Sequence, residues 1–149
     1  MRNVLFWPLL ALVGLLAYLP ALHSFFVKDD LTLILSAQAT FPALFTHSWP
    51  GGFFRPTAEL LFATQHALFG LHPLPYHLLS VGAHAAATLL LYRLFLRLLE
   101  NRDLSRIGPL VFALHPLHTE SVSWISGQMS LFAGLCTLHS ALLSEPEAL

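Results

Sequence analysis

Long apolar runs separated by short polar breaks organise this chain, and their lengths and lack of charge suit membrane-spanning helices. The stretches 3–27, 60–92, 107–119 and 121–144 contain no Asp, Glu, Lys or Arg. A helix needs about 20 mostly apolar residues to cross the hydrocarbon of a bilayer. The pattern therefore predicts spans over about 4–22, 76–99, 104–117 and 121–143, with an outer loop over 23–75. Prolines and the pair Gly51-Gly52 break that loop, which predicts short interfacial helices there, and Leu71-His-Pro-Leu-Pro-Tyr-His77 reads as a proline-rich turn. The expected fold is an all-α membrane bundle of about four transmembrane helices forming one domain over 1–149.

The first run follows Arg2 and could be the core of a secretory leader. It reads instead as a retained anchor, because it is long for a leader and Tyr18-Leu-Pro-Ala-Leu-His-Ser24 lacks the spacing of small residues that processing wants. Ser80, Gly82, Ala83, Ala85, Ala86 and Ala87 give the second span a small-residue centre, which allows close helix packing. The third is short, so His115, His118 and Glu120 at its end are expected in a polar recess below the surface.

Composition strengthens this picture. Hydrophobic residues make up 56% of the 149 and charged residues 10%, against roughly a quarter charged in an average soluble chain. A net charge of −1 with no basic cluster between aromatics sets aside nucleic-acid binding. The single cysteine, Cys136, draws neither a disulfide framework nor a thiolate metal site. Nine histidines are unusual in so apolar a chain and imply a polar interior or a wet interface. Arg93, Arg97, Arg102 and Arg106 cluster around the second connection, which places it, with the amino terminus, in the cytoplasm. Asp29, Asp30 and the 115–120 segment then lie on the opposite side.

Three groups could carry chemistry there. Asp29 and Asp30 could supply a general base or hold a divalent cation, or they could be a solvated pair marking the end of a span. His115, His118 and Glu120 could orient a phosphate, bind a metal or relay a proton, although they lack the i, i+4 spacing of helical zinc motifs. Arg55 could pair with a lipid phosphate, or with Glu59 four residues on. His77 and His84, seven apart, share a helical face and suit an interhelical hydrogen bond.

These pieces together resemble a family. Phe26-Val-Lys-Asp-Asp30, Phe54-Arg-Pro56, Leu71-His-Pro-Leu-Pro-Tyr-His-Leu78 and Leu110-Val-Phe-Ala-Leu-His-Pro-Leu-His-Thr-Glu-Ser-Val-Ser-Trp-Ile-Ser-Gly127 look like the amino-terminal region of GT-C membrane glycosyltransferases. They are most similar to the O-mannosyltransferases that carry tetratricopeptide repeats, and to their bacterial relatives. The resemblance implies transfer of a sugar, mannose being one candidate, from a polyprenyl-phosphate carrier to an acceptor hydroxyl on the outer membrane face. It implies Asp29 or Asp30 as the catalytic base, with Arg55, His115, His118 and Glu120 lining the phosphate site. The expected setting is a bacterial inner membrane with the active loops in the periplasm. Expected partners are the lipid-linked donor, membrane lipids, and a partner subunit or missing carboxy-terminal portion. No cofactor is implied firmly, a divalent cation being the one candidate. Gly127-Gln128-Met129-Ser130 departs from the family, which places a basic and then an acidic residue after the glycine. That departure and the shortness of the chain leave two alternatives: a non-enzymatic remnant or assembly subunit, and a small His/Glu metal-binding membrane protein.

Overall fold

A computed structural model describes residues 5–27, 29–37, 46 and 54–144, and among these every regular element is helical. Helix α1 is Phe6–Ala17, followed by a 3-10 turn at Leu19–His23. Helix α2 is Asp30–Ser36 and α3 is Pro56–Phe69. Then come α4 (Pro73–Leu98), α5 (Arg102–Leu114), a 3-10 turn at Pro116–His118, α6 (Thr119–Ser123) and α7 (Gln128–Ser144).

Helix α4 is the axis, with α1, α5, α6 and α7 packed on it, while α2 packs on α3. Its start differs from the expected turn, since Pro73 and Pro75 lie inside its first turn. The first four amides of a helix have no intrahelical acceptor, so a proline there forfeits nothing. The small residues serve as expected in part: Ser80, Ala83, Ala85 and Ala87 are buried, whereas Gly82 and Ala86 face outward. Gly14 of α1 is buried against Ala85, and a Cβ on it would lie 3.9 Å from the Ala85 Cα. Helices α4 and α5 turn back on each other through Asn101, whose side-chain oxygen accepts from the amides of Asp103 (2.9 Å) and Leu104 (3.2 Å). Ser105 Oγ then donates to the Phe95 carbonyl across the pair at 3.1 Å.

Among the described residues, one of the four expected spans is met by a helix long and apolar enough to cross a membrane. At 1.5 Å per residue the 26 residues of α4 reach about 39 Å, beyond the ~30 Å of bilayer hydrocarbon. Helices α1 and α5 have 12 and 13 residues. The last apolar run is divided between α6 and the 17-residue α7 by a turn at 124–127. The outer faces remain apolar: Leu104, Ile107, Val111 and Leu114, spaced three, four and three apart, form an exposed stripe along α5. A contiguous apolar stripe of this kind suits lipid or a partner better than water.

Candidate active site

The two aspartates occupy different environments. Asp29 precedes the first turn of α2 and is exposed, whereas Asp30 is only 1% exposed. Asp30 Oδ2 accepts from the Val27 amide at 2.9 Å, and Oδ1 accepts from the Ser126 amide, 96 residues away, at 2.8 Å. The carboxylate thus ties the segment before α2 to the turn between α6 and α7. That turn has little freedom. A Cβ on Gly127 would lie 2.6 Å from the Glu120 carbonyl oxygen and 2.9 Å from the Ser121 Cα, both backbone atoms.

Beside this junction lies a buried polar cluster. Gln128, the first residue of α7, donates from Nε2 to the Tyr76 carbonyl (2.8 Å) and to Ser80 Oγ (2.9 Å) on α4. Its Oε1 accepts from Gln65 Nε2 of α3 at 2.9 Å. His77 is fully buried and neither ring nitrogen makes a well-formed hydrogen bond. Ser80 was read only as a small packing residue and Ser126 was not singled out by sequence reasoning; a hydroxyl inside an apolar run is the signal that could have flagged both.

The second group assembles separately. His115 is exposed, its Nδ1 accepting from the Leu117 amide at 3.2 Å and its carbonyl from the Tyr18 hydroxyl at 3.0 Å. His118 is half-buried, with its ring 4.2 Å from that of Phe112, 5.2 Å from His84 and 6.4 Å from His115, centroid to centroid. Burial first, and His115 second, hold its pKa below the ordinary value. His84 makes the expected interhelical bond, Nε2 to the Ala113 carbonyl at 3.2 Å. Glu120 is exposed and uses its carbonyl to accept from the Trp124 amide. Among the described residues no three His, Cys, Asp or Glu side chains come together as a metal site. Arg55 is exposed at the start of α3, its carbonyl accepting from the amides of Ala58 and Glu59.

Comparison with known proteins gives a consistent set of relatives. Mouse protein O-mannosyl-transferase TMTC2 is 36% identical across 87% of this chain. Human protein O-mannosyl-transferase TMTC1 is 32% identical across 90% of it, and human TMTC3 is 29% identical across 95%. The chain spans 17% of the length of each of these relatives. No family model matches the sequence, and no solved structure matches it. The matching relatives come from mouse, human, frog and fly. They overturn the expectation of a bacterial inner membrane, since these relatives are eukaryotic.

Proposed function

This chain is a homologue of a portion of the protein O-mannosyl-transferases across most of its own length, and we propose that it forms the part of a membrane glycosyltransferase that presents the acceptor-activating carboxylate. In this reading the segments 4–22, 76–99, 104–117 and 121–143 lie within the bilayer. Chemistry takes place on the face opposite the arginines at 93–106, with a polyprenyl-phosphate-linked sugar, mannose, as donor. Asp29 takes the proton of an acceptor hydroxyl as its oxygen attacks the anomeric carbon. The bond from that carbon to the phosphate oxygen breaks, and the polyprenyl phosphate leaves with the electron pair. Arg55 and His118 face the phosphate and stabilise the charge it gains, while His115 and Glu120 line the approach. A divalent cation is not required by these steps.

The observation that carries this reading is the inequality of the two aspartates. A general base must reach a substrate proton, and only Asp29 is exposed; Asp30 has both oxygens committed to backbone amides. The test is transfer of radiolabelled sugar from a polyprenyl-phosphate donor in membranes containing the chain. Transfer is expected from the wild type and is expected to disappear in Asp29→Asn at unchanged protein abundance. Absence of transfer from abundant, inserted wild type would refute it.

One observation favours a second reading, that of a non-enzymatic remnant or assembly subunit. Gln128 stands where the resemblance calls for a cation, and its amide is engaged in three neutral hydrogen bonds. Such a chain would pack through its apolar faces against a partner and transfer nothing.

A further inference from the structure

Contacts along α4 fix the level at which each neighbouring element lies. At the arginine end, Ser105 Oγ donates to the Phe95 carbonyl at 3.1 Å, so α5 starts level with the last turns of α4. Running back along α4, α5 ends where His84 Nε2 meets the Ala113 carbonyl at 3.2 Å. His84 is still about 16 Å short of Pro73, the opposite end of α4. The chain does not continue from there as one helix. A 3-10 turn, the five residues of α6 and the turn at 124–127 climb the remaining distance, up to the bonds of Gln128 with Tyr76 and Ser80. Val122 of α6 packs with Val81 and Ala83 of α4, which sets α6 about 12–15 Å from the Pro73 end.

Charge locates the hydrocarbon on α4. Counted from Pro73, Arg93 is its first charged residue, and the helix between them covers about 30 Å, the full thickness of bilayer hydrocarbon. Helix α5 therefore stops near the middle of the bilayer, and the segment 115–120 lies in the half away from the arginines. Over that same half α4 exposes Leu78, Leu79 and Gly82, whereas the segment exposes His115, Thr119 and Glu120. Irregular backbone at membrane depth is tolerated only inside protein or beside a water-filled cavity, and an ionisable side chain there faces the bundle interior or such a cavity. We propose that the 3-10 turn and α6 border a water-filled vestibule, open on the face opposite the arginines and reaching His118 about halfway through the bilayer. The inference rests on the membrane placement in the reading above and not on the transfer chemistry. Uniform thinning of the bilayer does not replace it, because the apolar face of α4 at the same level would then meet water. A vestibule of this depth admits water and small hydrated solutes, and it gives a polar acceptor a route to His118 that crosses no lipid.

The test is thiol labelling of the full chain in lipid nanodiscs, with the exposed Cys136 replaced by serine and a methanethiosulfonate carrying a trimethylammonium group as reagent. Leu117→Cys and Glu120→Cys, both at exposed positions, place thiols in the vestibule. Leu71→Cys, before the start of α4, is the aqueous control, and Leu79→Cys, on the exposed apolar face of α4, is the lipid control. The reagent attacks the thiolate, which forms in water and not in hydrocarbon, so both vestibule thiols are expected to react within about tenfold of Leu71→Cys and Leu79→Cys at least about a hundredfold more slowly. Slow labelling at both Leu117→Cys and Glu120→Cys, with Leu71→Cys fast, would overturn the vestibule and leave the membrane placement standing. Fast labelling at Leu79→Cys would refute the membrane placement of α4, and the vestibule with it. Sugar transfer has no part in this readout, so its absence refutes the transferase alone.

Discussion

Replacing Asp30 by alanine tests whether its carboxylate is a structural tie. The side chain is almost fully buried and accepts two amide hydrogen bonds, at 2.9 Å from Val27 and 2.8 Å from Ser126. Hydrogen bonds to a charged group are each worth about 1.5–3 kcal/mol net, and removing the acceptor leaves two donors without a partner. Asp30→Ala is therefore expected to cost about 3 kcal/mol or more. Asp30→Asn keeps one acceptor oxygen but turns an NH2 towards the other amide, so it recovers at most half. Asp29→Ala, at an exposed position, is expected to fall within about 0.5 kcal/mol of wild type. Unfolding in detergent micelles, followed by circular dichroism, ranks the variants. Limited proteolysis reports on the turn at 124–127, which is expected to open in Asp30→Ala and stay closed in Asp29→Ala. Equal stabilities for Asp29→Ala and Asp30→Ala would refute the tie and return the two aspartates to equivalent roles.

Other predictions concern the same end of the bundle. Gln128→Leu strands the Gln65 amide and is expected to destabilise by about 1–3 kcal/mol in the same unfolding assay; adding Gln65→Leu is expected to restore part of the loss, because replacing both partners by apolar groups removes the stranded donor. Gly127→Ala forces a Cβ against backbone at 2.6 Å and is expected to lower stability by about 1–3 kcal/mol, with increased protease sensitivity between α6 and α7. His118 has a folded pKa below its unfolded value of 6.5, so the unfolded chain takes up its proton first on acidification. Its contribution is complete above about pH 6.5 and is lost as pH falls through the folded pKa. Unfolding temperatures measured from pH 7.5 to 5 are expected to fall less steeply in His118→Gln than in wild type, and identical slopes would refute this.

Helix existence was legible in the sequence and helix continuity was not. The charge-free run 121–144 gives no sign that it breaks at Trp124, because the break comes from a carboxylate 96 residues away and from a glycine packed on the Glu120 carbonyl. Likewise Pro73 and Pro75 read as a turn by their local bias, whereas a helix amino terminus tolerates both. Asp29 and Asp30 could be named together from their adjacency, but nothing local distinguishes them. Their difference is tertiary, set by which carboxylate meets Val27 and Ser126.

Both ends of the 124–127 turn are fixed by polar groups reaching in from other elements: Asp30 holds Ser126, and the Gln128 side chain is held by Gln65, Tyr76 and Ser80. Buried hydrogen bonds between elements cost most when one partner is lost, so the turn, the segment before α2 and the middle of α3 must keep their places together. Asp29 sits one residue from that junction, and His118 lies on the 3-10 turn that leads into α6. A substitution in Gln65 is therefore expected to alter the placement of Asp29 without touching it, through Gln128, the turn and Asp30 in sequence. That coupling gives the amides and the carboxylate a role that leucines packed at this junction could not fill.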